Sequence, residues 1–377
     1  MPIRVCHLLD NVRSGVGVTE VVHCLMTDDR VPSAGILVGT GEVDPRFAQA
    51  VRDGSVTEAR SPIEMARALL RHRADGCRIL HVHSRKSVWL CLLARTIGCA
   101  VVRTQHFGTT DAARAGRLRD LSRRARNVLS LRSGWIDHWV AVSETSRRYL
   151  TARWGVPAGR CSVIPNGIDA DRFAPLPPEE RARVRLAAGW RPDDTVIVSV
   201  GALVARKRHA ALVEAFALIA PDAPDARLAI VGEGSARGLL SARIAELGLD
   251  GRVELLGLRR DVPALLGASD IYVHAAADEA FGLAVVEAMA TGLPAIAVAG
   301  RGPAEIVEDG STGHVVPGRD AAAMAAAMRA LVATPDLRCA MGVRAREVAL
   351  ARFNRALMRD AYRTLYMRLR PVQAPKS

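Results

Sequence analysis

The stretch Thr195-Val-Ile-Val-Ser-Val-Gly201-Ala-Leu-Val-Ala-Arg206-Lys207-Arg208 decides the fold. A short run of β-branched residues reads as a strand buried on both faces, which is the pattern of a parallel sheet. Glycine at its end lets the backbone come close to a ligand, and three cations then open the next helix. The same alternation continues downstream, with strands expected over 196–200, 227–231, 253–256, 270–274, 295–298 and 314–316. Upstream it predicts strands over 3–9, 35–39, 78–83, 100–104 and 138–142, with helices over 18–26, 84–97 and 145–154 between them. Strands alternating with helices throughout argue a parallel α/β architecture.

A chain of 377 residues, 49% of them hydrophobic, is too long for one ordinary core. Pro175, Pro177 and Pro178 interrupt regular structure after Val163-Ile-Pro-Asn-Gly-Ile-Asp169, so two domains are expected, over 1–173 and 174–354. A last helix over 355–370 carries Leu357, Ala361, Leu365 and Leu369 at helical spacing and is read as a candidate to pack back on the first domain. Ligands of two such Rossmann-like domains are expected at the carboxyl ends of the strands, in a cleft that the domains face. No secretory signal or membrane span is read from the sequence. Seven cysteines without a Cys-x-x-Cys pair suit a reduced, cytoplasmic protein.

The net charge is +13. Residues 1–173 hold 26 basic and 16 acidic residues, and the remainder 26 and 23, so the excess lies in the first half. Its densest run lies between Arg114 and Arg132, where seven arginines meet only Asp120 and interleave with leucines, as in a basic amphipathic helix. An anionic membrane surface, an acidic acceptor or plain solvent would each suit it. Nucleic acid is disfavoured, since few aromatics are present for stacking.

The chemistry concentrates in Glu279-Ala-Phe-Gly-Leu-Ala-Val-Val-Glu287. Glu279 follows a strand and Glu287 lies one turn into a helix. The amides of Gly282, Leu283 and Ala284 between them have no partners within that helix, which suits an anion. Carboxylates repel a phosphate but bind hydroxyls on either side of it, a sugar at one end and a ribose at the other. The pattern therefore points to a nucleotide sugar. At the Gly201 turn, cations at a helix start oppose the helix dipole, a penalty that a diphosphate reverses, with Lys207 as a point charge and Arg206 as a fork. Val231-Gly-Glu-Gly234 and Leu256-Gly-Leu258 end strands in the same way, each also explicable as an ordinary corner. Ser14-Gly-Val-Gly17 lacks the third glycine and the acidic partner of a dinucleotide fingerprint, which disfavours a dehydrogenase.

His81-Val-His83 places two rings on one face of a strand end, but no third ligand at metal spacing lies near them in sequence. No metal is expected there. His106 ends the strand after it and is read either as a loop histidine or as a site residue. Asp169-Ala-Asp171 reads as a turn.

In this order and spacing, Ala141-Val-Ser-Glu144, Val163 to Asp169, Gly201 to Lys207, Val231 to Gly234, Leu256 to Pro263, the Glu279/Glu287 pair and Glu308-Asp-Gly-Ser-Thr-Gly313 resemble the retaining GT-B glycosyltransferases of family GT4. The resemblance spans nearly the whole chain. It implies a GT-B fold, an acceptor site in the first domain and a nucleotide-sugar site in the second. Lys207 and Arg206 would then hold the diphosphate, and Glu279 the transferred sugar. Gly201, Gly234, Leu258 and the backbone of Phe281, Gly282 and Leu283 would line the donor site, with Glu287 on the ribose. Gly17 would approach the donor from the first domain, and His106 is similar to the family's histidine near the transferred sugar. The family often has arginine where Ala202 stands, and Arg206 is a candidate replacement.

The resemblance also implies transfer of a hexose-type sugar with retention and without a metal or other cofactor. The acceptor would be a sugar, a lipid-linked group or a small molecule, most commonly in bacterial surface polysaccharide or glycolipid biosynthesis. A nucleotide-sugar 2-epimerase on the same fold and a natural-product glycosyltransferase are the alternatives. A cytoplasmic place is expected, with contact at the inner membrane face through the basic run.

Overall fold

The computed structural model of the protein describes residues 3–10, 17–38, 44–83, 88–106, 134–318 and 320–369. The chain divides into two units: Met1–Gly167 with Arg355–Ser377, and Ile168–Asn354. Ile168–Phe173 thus goes with the second unit, because Ile168 donates its amide to Phe353 O at 2.8 Å. The basic run from Arg114 to Arg132 lies outside the described residues. Among the described residues, no helix is long and apolar enough to cross a membrane. All seven cysteines are free.

The first unit is built on strands β1 (Arg4–Asp10), β2 (Ser33–Val38), β3 (Val56–Ala59), β4 (Cys77–Val82), β5 (Ala100–Gln105), β6 (His138–Ala141) and β7 (Cys161–Val163). They pair in the order β3-β2-β1-β4-β5-β6-β7, each pair parallel. The two strands that apolar patterning does not announce, β3 and β7, are the short edges of this sheet. Alternation along the inner strands builds two layers. Leu8, Leu80, Val101 and Trp139 pack with Leu90 and Leu150 on one face. Val5, Ile79, Val102 and Val140 pack with Val21 and Leu25 on the other.

The C-terminal helix Arg355–Arg368 completes that second layer with Met358, Tyr362, Leu365 and Tyr366. Of the four aliphatic positions expected to face inward, Leu365 is buried, Ala361 and Leu369 pack against the layer, and Leu357 is 48% exposed. The tyrosine rings join this apolar layer while their hydroxyls meet polar side chains of the sheet. His7, His81, His83 and Thr104 share the face under this helix. Tyr366 Oη lies 2.6 Å from His81 Nδ1, and Tyr362 Oη lies 3.0 Å from Thr104 Oγ1. Thr104 Oγ1 is in turn 2.7 Å from His81 Nε2. Buried hydroxyls and imidazoles thereby satisfy one another, as a polar core must.

The second unit contains β8 (Thr195–Val200), β9 (Ala226–Val231), β10 (Val253–Gly257), β11 (Ile271–His274), β12 (Ala295–Val298) and β13 (Gly313–Val316). Their order is β10-β9-β8-β11-β12-β13, again all parallel. Strand order reverses between β8 and β11, and at such a reversal the helices that follow leave to opposite faces and open a crevice at the carboxyl ends. Asp270 ties the opposite, amino edge: it accepts the Val196 amide at 2.7 Å and pairs with Arg181 at 2.7 Å and Arg185 at 2.5 Å.

The histidines of the first unit make its stability depend on acid. Burial pushes His7 and His106 down from 6.5 to about 3. Burial, aided by neighbouring histidines, holds His81 and His83 well below 6.5. The unfolded chain takes up these protons as pH falls through 6.5, while the folded one does not. The folding free energy of the unit is therefore expected to be intact above pH 6.5 and to decline toward about pH 3, by up to about 1.4 kcal/mol per pH unit for each histidine. Urea midpoints measured between about pH 7.5 and about pH 5 check this, and a flat profile would contradict it.

Candidate functional site

In the second unit the site grows from two neighbouring strand ends. β8 runs into Gly201, a short 3₁₀ turn Ala205–Lys207 and the helix His209–Ala217. β11 runs into the loop that carries Glu279 and then the helix Leu283–Ala290. Neither helix has a side-chain cap, so their first-turn amides are left for another partner. At the start of the first, Arg208 holds the left-handed conformation with φ 56°, the sole positive φ outside glycine among the described residues. Such backbone strain of about 1–2 kcal/mol persists where the surroundings impose it.

The two segments meet in one ion pair. Lys207 Nζ donates to Glu279 Oε2 at 2.6 Å across 72 residues of sequence. Lys207 is only 9% exposed, and a buried ammonium needs such a counter-charge. His274, the last residue of β11, brings Nε2 within 2.8 Å of the same oxygen, off the axis of an aligned hydrogen bond. Burial works to raise the Glu279 carboxyl, but His274 and Lys207 outweigh it and hold the carboxyl well below the usual carboxylate range. Glu279 is therefore ionised and bonded at neutral pH. Burial, with Lys207 and His274 nearby, pushes His209 down to about 4.

The remaining residues divide sharply. Glu287 is half-buried on the helix after Glu279, and both carboxylates act on the buried Tyr272, whose phenol burial pushes well up. Phe281 turns its ring into the core, 5.7 Å from the ring of Phe353, so only its backbone is available to a ligand. Gly282 has φ 109°, and a Cβ there would sit 3.0 Å from Pro303. The loop itself is pinned by Gly302, which donates to Glu279 O at 3.2 Å, and by the Arg301–Asp278 pair at 2.8 Å. Leu283 is half-buried at the helix start. Leu258 is 77% exposed beside the end of β10. Arg206 is exposed, while Arg208 is half-buried with a buried Nη1 that has no partner among the described residues.

Gly201 and Gly234 serve the shape of the site. The Lys207 stem runs past Gly201, with Cε 3.5 Å from where a Cβ would stand. A Cβ on Gly232 would lie 2.1 Å from Gly201 O, and one on Gly234 would lie 2.3 Å from Leu203 O. The corner from Val231 to Gly234 is thus a backing for the Gly201 turn, reinforced where Leu203 donates to Glu233 O at 2.8 Å.

In the first unit Gly17 opens the helix Gly17–Met26, and Ser14, Gly15 and Val16 lie outside the described residues. His106 lies beyond the end of β5, with Nε2 2.9 Å from His83 Nδ1. The third histidine that the spacing of His81 and His83 lacks is supplied by β1. His7 Nδ1 is 3.1 Å from His83 Nε2, and ligand atoms of His7, His81 and His83 all lie within 4.8 Å of one another. Sequence reasoning missed His7, Tyr272 and His274. His7 pairs with His81 across parallel strands, a register that no local pattern announces. His274 could have been found as the last residue of the strand that precedes Glu279.

Comparison with known proteins bears on the family and the fold. The family model described as Glycosyl transferases group 1 matches residues 180–348, and that described as Glycosyltransferase Family 4 matches residues 17–172. A GDP-mannose-dependent alpha-(1-6)-phosphatidylinositol monomannoside mannosyltransferase of Mycolicibacterium smegmatis is 35% identical over 218 residues, 55% of this chain and 56% of that protein. The lipopolysaccharide core biosynthesis glycosyltransferase LpsE of Rhizobium meliloti is 32% identical over 170 residues, 45% of this chain and 49% of that protein. The chain spans about half the length of the curated relatives it matches. In fold it is similar to Anabaena Alr3699/HepE, solved with UDP and glucose, at a TM-score of 0.83 and 20% identity over 97% of this chain and 100% of that one.

The backing role of the glycines is testable. Gly234→Ala is expected to cost about 1–3 kcal/mol of folding free energy, because the backbone of Leu203 has to move. Gly238→Ala, in the exposed start of the next helix with nothing within 4 Å, is expected instead to stabilise by about 0.4–1 kcal/mol. Chemical denaturation of the two variants decides it, and equal effects would remove the backing role.

Proposed function

Because the chain belongs to the group 1 glycosyltransferases of family 4, we propose that it moves a hexose-type sugar from a nucleoside-diphosphate sugar to an acceptor hydroxyl, with retention of configuration. The observation that carries this reading is the Lys207–Glu279 pair between two uncapped helix starts. Without ligand, each charge compensates the other. A donor supplies both with better partners, the diphosphate taking the lysine and the sugar hydroxyls taking the carboxylate. The amides of Gly282 and Leu283 add to the cradle, and Glu287 holds the ribose. Arg206, Gly201, Gly234 and Leu258 complete the donor surface in this proposal, while His106 and Gly17 keep the roles that the family resemblance implies.

Departure of the nucleoside diphosphate builds negative charge on its β-phosphate. Lys207 and preoriented amides stabilise that charge more in the transition state than in the ground state. The leaving phosphate itself takes the proton of the attacking hydroxyl from the front face. No protein base, metal or other cofactor is needed on this route. The relatives named for a mannosyl transfer to a phosphatidylinositol mannoside and for lipopolysaccharide core synthesis support an acceptor in bacterial polysaccharide or glycolipid assembly. We place the protein in the cytoplasm. Contact with an anionic membrane surface through the run from Arg114 to Arg132 belongs to the same proposal and is supported by the arginine content of that run.

The test is a thermal-shift panel of UDP-, GDP- and ADP-sugars on wild type and Lys207→Ala. A donor at a hundred times its Kd is expected to stabilise wild type by about 2.7 kcal/mol and to lose that effect in the variant. Lys207→Ala is expected to slow transfer on the order of 10²–10³-fold, as deletion of one oxyanion donor does. Near-normal turnover would remove the phosphate role. Glu287→Ala is expected to weaken donor binding by about 1.5–3 kcal/mol, and an unchanged Kd would remove the ribose role. A sugar of inverted C2 configuration formed from donor alone, without acceptor, would show epimerisation instead.

A further inference from the structure

The buried histidines of the first unit form a chain with a direction. Ser33 Oγ donates to Val31 O at 2.9 Å and lies 3.5 Å from His7 Nε2. His7 Nδ1 faces His83 Nε2 at 3.1 Å, and His83 Nδ1 faces His106 Nε2 at 2.9 Å. The far nitrogen, His106 Nδ1, is buried and has no partner among the described residues. Burial keeps His7, His83 and His106 neutral near pH 7, so each ring carries one N–H and one bare nitrogen.

Only two arrangements place one proton in each gap. In the first, His7 Nε2–H points at Ser33, His83 Nε2–H donates to His7 Nδ1, and His106 Nε2–H donates to His83 Nδ1. That leaves His106 Nδ1 bare. In the second, every proton is on the other side, and His106 carries Nδ1–H. The second sets a bare His7 Nε2 against Ser33 Oγ, whose proton is already given to Val31 O at the shorter distance. Two acceptors would then face each other at a part-buried contact, where the unmade hydrogen bond is costly. The first arrangement is therefore the stable one.

We propose that His7 and His83 are positioning residues that fix His106 as the Nε2–H tautomer, so that its bare Nδ1 accepts a hydrogen bond from a hydroxyl of the substrates. The inference rests on the reading of His106 given under Proposed function. A metal ion held by His7, His81 and His83 is the competing account of the cluster, and it predicts the opposite. A ligating His83 Nε2 has to be bare, so His83 Nδ1–H donates to His106, which then carries Nδ1–H. Against a metal, both nitrogens of His81 are already engaged, by Tyr366 and Thr104.

The experiment is histidine-selective ¹⁵N labelling of the full chain, with two-bond nitrogen–proton correlation spectra recorded without substrate. Protons on Nε2 of His7, His83 and His106 are expected, and metal analysis of the same sample is expected to find no stoichiometric ion. A proton on His106 Nδ1, or one bound metal per chain, overturns the proposal. His7→Leu removes the acceptor for His83 and is expected to turn the His106 signal into a mixture of tautomers. It should also lower kcat about tenfold at unchanged donor KM, the scale of one hydrogen bond. His7→Asn, whose carboxamide oxygen can accept in place of Nδ1, is expected to restore both. A fall in kcat with the tautomer unchanged, or no rescue by His7→Asn, sinks it. If His7→Leu does not fold, the wild-type and His7→Asn spectra still decide. Ordered tautomers in a protein that transfers no sugar would overturn the proposed function and leave the chain of histidines standing.

Discussion

Every strand in each of the two sheets runs the same way, and the chemistry of the protein depends on that constraint. A parallel sheet needs a crossover after each strand, so all carboxyl ends gather on one edge and each hands the chain to a turn and often a helix. In the second unit this brings the ends of β8 and β11 side by side, with Lys207 beyond one and His274 and Glu279 at the other. In the first unit it brings His7, His83 and His106 from three adjacent strands onto one face. Neither group could assemble from a hairpin, where successive strands present opposite ends.

The two polar groups solve burial in different ways. The second unit keeps charges inside, and does so by pairing them: Lys207, His274 and Glu279 share one carboxylate oxygen. Such a pair contributes little net stability, but breaking it strands a charge. It is therefore an arrangement that a ligand with charges of both kinds, or a phosphate beside hydroxyls, can exchange into at low cost. The first unit keeps its histidines neutral and closes their hydrogen bonds with tyrosine, threonine and one another. A neutral network lowers no barrier by charge. What it supplies is orientation, because each imidazole has one proton to place.

Glycine ties the fold to the site in a third way. Gly232 and Gly234 let the β9 corner press its backbone against Gly201 and Leu203, and the Lys207 stem passes alongside Gly201. The cation is thus positioned by backbone contacts that no side chain makes. This accounts for a motif that contributes to the site without offering a functional group. Arg208, which sits in a conformation that glycine adopts more readily, gains nothing from its backbone and holds it because the turn and the helix on either side impose it.

The architecture was legible in the chain wherever burial is complete. Strands inside a parallel sheet are buried on both faces and become runs of Val, Ile and Ala, as from Val196 to Val200, and the glycines and carboxylates at their ends stand out against those runs. Edge strands β3 and β7 escaped because only part of each is buried, and periodicity records burial. The aliphatic spacing of the last helix found Ala361, Leu365 and Leu369 on its inner side but passed over Tyr362 and Tyr366, which count as polar until hydroxyl partners are known. The spacing of Glu279 and Glu287, and the Gly201-to-Lys207 turn, are properties of one segment each, so the sequence by itself determined them. Which cation meets Glu279, that His274 joins them, and that His7 stands beside His83 were decided only by the tertiary structure. Those contacts depend on strand order and register, which bring together residues far apart in the chain and leave no mark in either local segment.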